Sequence, residues 1–150
     1  MKRIVLIGDR ICGGYLPVLR NRLKGAAEIW DPDRPVCSTV EILADMRDWV
    51  LKRQPDYAIF ASGILDTREV CFGCGERITP LKAFERNVER ILGIVLERST
   101  TIPVWVTITP VDRRRIRDKE EFGYDNETIS LYNEEAKAVA RRLGVATFDL

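Results

Sequence analysis

Short apolar runs bounded by turn residues recur along the chain. Each run is rich in β-branched or aromatic residues and is shorter than a usual helix, which is typical of buried strands. Five such runs are present: KRIVLIGD at 2–9, AAEIWD at 26–31, DYAIFASG at 56–63, IPVWVTITP at 102–110 and GVATFDL at 144–150. The pattern therefore predicts five β-strands.

Amphipathic segments separate these runs and predict four helices, because their apolar residues recur at intervals of three and four. The first segment ends at Gly25, and the second begins at the capping box Ser38-x-x-Glu41. The third begins with Pro80 in its first turn, directly behind Thr79, and the fourth starts near Asn126 and ends at Gly144. The four apolar stripes are Leu16, Leu19 and Leu23; Ile42, Leu43, Met46, Trp49 and Val50; Leu81, Phe84, Val88, Ile91, Leu92 and Val95; and Ile129, Tyr132, Ala136, Val139 and Leu143.

The alternation of strands and helices indicates the fold class. Strands joined through helices form right-handed crossovers and a mostly parallel sheet, so we predict one α/β domain over 1–150. With the strand order 2-1-3-4-5, the first helix lies on one face of the sheet and the other three on the opposite face.

The composition limits the partners and the chemistry. The chain has 150 residues, of which 45% are apolar, and its net charge is +1, so no overall field attracts nucleic acid or an acidic membrane. It contains no apolar run long enough to cross a bilayer, and we expect a cytoplasmic protein. Histidine, the commonest general base, is absent. Four cysteines in a reducing compartment are expected to be free, catalytic or metal-bound.

Two segments resemble motifs of the SGNH or GDSL-type hydrolases, which are flavodoxin-like esterases and acylhydrolases. IGDRICGG at 7–14 resembles the first block of that family, Gly-Asp-Ser with a following glycine, and QPDYAIFASGILD at 54–66 resembles its third. The segments 84–95, 104–111 and 129–145 and the closing Asp-Leu match the order of the remaining elements. The resemblance implies a three-layer fold whose five-stranded sheet has the order 2-1-3-4-5, with the family's last helix missing.

The catalytic residues that the resemblance implies are replaced in this chain. Arg10 stands at the position of the serine nucleophile, and Cys37 at the glycine whose N–H binds the oxyanion. Leu65 stands at the asparagine of the oxyanion hole, and the family's histidine has no counterpart. We therefore expect that ester hydrolysis by a serine has been lost. One alternative is a rearranged esterase in which Cys12 is the nucleophile and Asp9, Asp66 or water transfers the proton.

The four cysteines follow the first three predicted strands. Cys12, Cys37, Cys71 and Cys74 are thus expected at the carboxyl edge of the sheet, and the last two form a Cys-x-x-Cys-Gly motif. This arrangement predicts a shared site for a four-iron four-sulfur cluster, with zinc as the alternative. Two further alternatives need no cofactor: incidental thiols in a catalytically dead binding or scaffold domain, or a redox dithiol at Cys71 and Cys74. If the domain is an enzyme, metal- or cluster-dependent chemistry would replace ester hydrolysis.

Charged residues of the same edge predict an anionic small-molecule ligand. Arg10, Arg68 and Arg77 are the arginines expected to bind it, and Asp9 and Asp66 lie in the same loops, where they either join the site or cap turns. A further group after the fourth strand consists of Arg113, Arg114, Arg115 and Arg117, which are interleaved with acidic residues and are expected mainly to pair with them. Because one face of the sheet would lack a helix, we also expect a homodimer or additional polypeptide to cover it.

Overall fold

Five parallel strands form the sheet in the order β2-β1-β3-β4-β5, which confirms the predicted α/β class and strand order. The computed structural model describes residues 1–71, 73–112 and 123–150. The strands are β1 (Lys2–Gly8), β2 (Ala27–Trp30), β3 (Tyr57–Ala61), β4 (Ile102–Val106) and β5 (Ala146–Phe148). Each lies within one of the predicted apolar runs.

Four α-helices connect the strands as predicted: α1 (Arg10–Arg22), α2 (Thr39–Met46), α3 (Leu81–Arg98) and α4 (Asn126–Arg142). A π-helical turn, Arg47–Leu51, extends α2, and a short 3₁₀ helix, Ile64–Thr67, follows β3. Helix α1 begins earlier than its apolar stripe indicates, because the Asp9 side chain accepts hydrogen bonds from the first-turn amides.

The other helix ends agree closely with their sequence motifs. Ser38 and Glu41 form the predicted capping box at the start of α2. Pro80 is the N-cap of α3 and therefore lies one residue outside the helix, not in its first turn. Gly144 has φ +70 directly after α4, where the Val145 N–H donates to the Ala140 carbonyl at 2.8 Å.

The two faces of the sheet are covered unequally. Helices α2, α3 and α4 pack on one face around Trp105, which is fully buried between Phe60 and Phe84. Helix α1 packs on the other face with a smaller cluster that includes Leu16, Leu6 and Val106. The predicted division of the helices between the faces is therefore present.

The part of the α1 face over β4 and β5 is open. Residues of one strand alternate between faces and paired residues share a face, so Ile102 and Phe148 lie on the same side as Val106. Their exposed fractions are 51% and 66%. A homodimer that covers this area stays a prediction. No helix among the described residues is both long and apolar enough to cross a membrane.

Candidate functional site

A cleft of about 310 Å³ lies at the carboxyl ends of β1 and β2. One wall is the turn from β1 into α1, and the other is the loop that follows β2. In an open parallel sheet, this edge is where ligands bind. Side chains that face the cleft include Asp9, Arg10, Cys12, Asp33 and Arg34.

Asp9 holds the start of α1 in place. One of its carboxylate oxygens accepts hydrogen bonds from the Ile11 N–H at 2.9 Å and the Cys12 N–H at 3.2 Å. Burial raises the pKa of Asp9, although these two bonds to the backbone act in the opposite direction. Asp9 therefore caps α1, which is one of the two roles expected for it, and it also lies beside the cleft.

Arg10 is the first residue of α1 and is exposed at the cleft. No carboxylate within 1–71, 73–112 or 123–150 forms an ion pair with it. Arg34 differs, since it is bound to Glu41 at 2.6 Å and to Asp45 at 3.4 Å, and its guanidinium lies over the Trp49 ring. Arg10 is therefore the cleft arginine whose charge is available to a ligand.

The positions that resemble an oxyanion hole are already engaged or apolar. The Cys37 N–H donates to a Glu41 carboxylate oxygen at 3.1 Å, so this amide is part of the capping of α2. The Leu65 side chain carries no donor, and its N–H donates to the Cys37 carbonyl at 2.9 Å. The two donors that the resemblance places at positions 37 and 65 are therefore not available to a ligand, and the sequence contains no histidine.

The Cys12 side chain is packed between the sheet and α1. It is 4% exposed, and a Cβ added at Gly8 would lie 2.5 Å from its sulfur, so the two residues fit only because position 8 is glycine. Burial raises the pKa of Cys12 against the lowering effect of a hydrogen bond with Tyr15, and the nearby Asp9 carboxylate raises it further. These surroundings disfavour the thiolate that a nucleophilic Cys12 needs.

The other three cysteines lie in different surroundings. Cys37 is half-buried in the loop before α2, and burial raises the pKa of its thiol although Arg10 lowers it slightly. Cys71 and Cys74 are both exposed, and the Cys74 N–H donates to the Cys71 carbonyl at 3.2 Å. The structure therefore brings two of the four predicted metal ligands together.

No three cysteine or carboxylate side chains of the described residues are arranged to hold one metal ion. A cluster or zinc ion bound by Cys12, Cys37, Cys71 and Cys74 would thus require other positions of the loops. It stays a prediction, which an analysis of iron, sulfide and zinc in the purified protein tests.

Asp66 is fully buried and joins the loop after β3 to α2. Its carboxylate accepts hydrogen bonds from the Thr39 N–H at 2.8 Å and the Thr39 hydroxyl at 2.7 Å. Asn87 of α3 donates to the same hydroxyl at 3.0 Å. Burial raises the pKa of Asp66, against the lowering effect of Thr39. These contacts give Asp66 a structural role, and they involve Thr39 and Asn87, which no sequence motif indicates.

Arg77 connects the loop after β3 with the start of α4. Its guanidinium donates to Asp125 at 2.9 Å and to the Gly123 carbonyl at 3.0 Å. Asp125 also caps α4 through Thr128, a motif Asp-x-x-Thr that is visible in the sequence. Arg68 lies in the same loop after β3, where its carbonyl accepts a hydrogen bond from the Ile78 N–H, and it is half-buried. The predicted arginine group Arg113, Arg114, Arg115 and Arg117 lies outside the described residues.

Comparison with known proteins identifies the fold. No protein-family model matches the sequence, and no curated protein matches it significantly. The acetyl xylan esterase AlAXEase superimposes with a TM-score of 0.78 and 18% identity over 99% of this chain and 77% of the esterase. A lipase/acylhydrolase from Enterococcus faecalis gives 0.76 and 20% over 100% and 76% of the two chains. A putative lipolytic protein of the G-D-S-L family from Desulfitobacterium hafniense gives 0.73 and 17% over 99% and 77%.

These similarities define the class of the domain, which has the fold of the GDSL-type (SGNH-like) esterases and lipolytic proteins. The resemblance noted in the sequence is confirmed at the level of the fold. At identities of this size, activity does not follow from the fold.

Proposed function

We propose that this protein is a GDSL-type domain that binds a small anionic molecule in the cleft beside Arg10 and does not hydrolyse esters through a serine. The observation that carries the proposal is the placement of Arg10. It occupies the position that resembles the serine nucleophile, and it is exposed at the cleft. A guanidinium stays protonated at neutral pH and cannot act as a nucleophile, but it binds oxyanions through paired N–H donors.

The charges around the cleft favour a ligand with one anionic group over a ligand with several. Asp9 is engaged in capping α1, Asp31 is paired with Arg20, and Arg34 is paired with Glu41 and Asp45. Arg10 then supplies the available positive charge, next to the N-terminus of a 13-residue helix, which also favours anions. Asp33 faces the same cleft and would repel additional negative charge. A carboxylate or a phosphate group therefore fits this cleft best.

Titration with acetate and with inorganic phosphate, followed by two-dimensional NMR of the ¹⁵N-labelled chain, tests the proposal. We expect saturable shifts of the amide resonances of residues 8–13 and of the Arg10 Nε–H. A dissociation constant of about 1 mM or weaker is expected for ligands of so few atoms. Arg10→Gln should abolish the saturable shifts.

Arg22→Gln is the matched control, because Arg22 is an exposed arginine at the other end of the same helix. This variant should bind acetate and phosphate as the wild type does. Shifts that persist unchanged in Arg10→Gln, or no saturable shifts in the wild type at constant ionic strength, would contradict the proposal.

Hydrolysis of 4-nitrophenyl acetate tests the second half of the proposal. We expect the rate to equal that of the Cys12→Ala variant, because no activated nucleophile among the described residues faces the cleft. Saturable hydrolysis that disappears in Cys12→Ala would instead establish the rearranged esterase.

A further inference from the structure

A two-stranded hairpin follows the loop after β3 and carries two of the cysteines at its tip. Its strands are paired through the bridge between Glu69 and Arg77, the Val70 N–H donating to the Glu76 carbonyl at 2.8 Å, and the Ile78 N–H donating to the Arg68 carbonyl at 2.8 Å. Arg77 fixes the base of the hairpin to the start of α4. The tip therefore projects from a base held in place.

The backbone at the tip brings Cys71 and Cys74 together. The Cys74 N–H donates to the Cys71 carbonyl at 3.2 Å, and such a bond between residues three apart keeps their Cα atoms within about 7 Å. Disulfides span Cα separations of about 4.4–6.8 Å. Gly73 has φ +71, which side-chain-bearing residues rarely adopt, so this glycine permits the turn.

The two cysteines at the tip are exposed and chemically unequal, and the Cys74 thiol donates to the Glu76 carbonyl at 3.7 Å. A hydrogen bond between the two side chains lowers the pKa of Cys74 and raises that of Cys71. The carboxylates of Glu69 and Glu76 raise the pKa of Cys71 further. Cys74 is therefore the thiol that ionises first, and both sulfurs are accessible to a reagent in solution.

We propose that Cys71 and Cys74 form a reversible dithiol–disulfide pair that is oxidised by a low-molecular-weight disulfide. The Cys74 thiolate attacks one sulfur of the reagent RSSR, which forms a mixed disulfide and releases one RS⁻. Cys71 then loses its proton and attacks the Cys74 sulfur, which forms the intramolecular disulfide and releases the second RS⁻. The protein pair loses two electrons and two protons, and the reagent gains them as two RSH.

The geometry favours this chemistry over a metal site within one chain. Two thiols suffice for a disulfide, whereas zinc needs four ligands. No third ligand of the described residues joins the pair. The hairpin is also separate from the cleft beside Arg10, whose lining residues lie in 6–16 and 31–35, so this inference does not rest on the proposed function.

Incubation of the reduced protein with oxidised glutathione, followed by alkylation and peptide mass mapping, tests the pair. We expect one intramolecular disulfide between Cys71 and Cys74, with Cys12 and Cys37 recovered as thiols, and full reversal by dithiothreitol. Cys71→Ser should stop at a glutathione adduct on Cys74. Cys74→Ser should likewise stop at a glutathione adduct on Cys71, because neither single variant retains the second thiol that closes the disulfide.

Cys37→Ser is the matched control and should form the disulfide as the wild type does. Serine at exposed positions 71 and 74 should leave the urea unfolding curve unchanged, which shows that the variants fold. Absence of the linked peptide in the oxidised wild type would overturn the proposal. So would stoichiometric zinc or iron in the freshly purified protein that Cys71→Ser removes, since the pair would then be metal ligands.

Discussion

Asp66 and Arg10 lie on loops that leave neighbouring strands at the same edge of the sheet, but their surroundings differ. Asp66 is fully buried, and Thr39 donates two hydrogen bonds to its carboxylate. Arg10 is exposed, and no described carboxylate pairs with it. Asp66 therefore stabilises the scaffold, whereas Arg10 presents a charge to solvent.

The largest expected effect on the free energy of unfolding comes from replacing Asp66, the buried residue of this comparison. Asp66→Ala leaves the Thr39 N–H and hydroxyl without an acceptor inside the protein, and each unsatisfied buried donor costs about 1–3 kcal/mol. We expect the free energy of unfolding to fall by about 2–5 kcal/mol in urea denaturation.

Asp33→Ala is the control for this loss, because Asp33 is an exposed aspartate of the same edge. It should change the free energy of unfolding by less than about 0.5 kcal/mol. If Asp66→Ala and Asp33→Ala lower the free energy of unfolding equally, the hydrogen bonds of Asp66 do not stabilise the fold more than an exposed side chain does.

Most of the scaffold could be predicted from the sequence, because its determinants are local. The five apolar runs became the five strands, and the Ser38 and Glu41 box starts α2 as predicted. The Cys-x-x-Cys spacing also predicted that Cys71 and Cys74 lie close together, as their backbone hydrogen bond shows. These features depend on residues within a few positions of each other, which a pattern records directly.

The site could be predicted only in part, because its contacts join distant positions. Thr39 and Asp66 are 27 residues apart, and no periodicity relates them. The environment of Cys12 depends on how α1 starts: the Asp9 cap places Cys12 in the first turn, where it packs against Gly8. A sequence pattern places a cysteine near a sheet edge, but it does not show whether the thiol faces solvent or the core.

An intermediate effect is expected at the start of α2, where the capping box also engages the Cys37 amide. Ser38→Ala removes the side-chain acceptor for the Glu41 N–H and should lower the free energy of unfolding by about 1 kcal/mol. Val40→Ala, an exposed change in the same turn, should cost less than half as much. If Ser38→Ala costs as much as Asp66→Ala, a single helix cap in the loop after β2 stabilises the fold as much as the buried hydrogen bonds of Asp66 do.

The smallest expected effect concerns Arg10 itself and has the opposite sign. Helix α1 has a partial positive charge at its N-terminus, where Arg10 adds another, and a partial negative charge at its C-terminus, where Arg22 lies. Arg10→Gln should therefore raise the free energy of unfolding by about 0.3–1 kcal/mol at low ionic strength, and Arg22→Gln should lower it by a similar amount. Both differences should shrink in 1 M salt, because screening weakens interactions between exposed charges. A loss of stability in Arg10→Gln would mean that the arginine contributes to the scaffold. A gain, together with the loss of acetate and phosphate binding, is the result expected of a residue that serves a ligand at some cost to the fold.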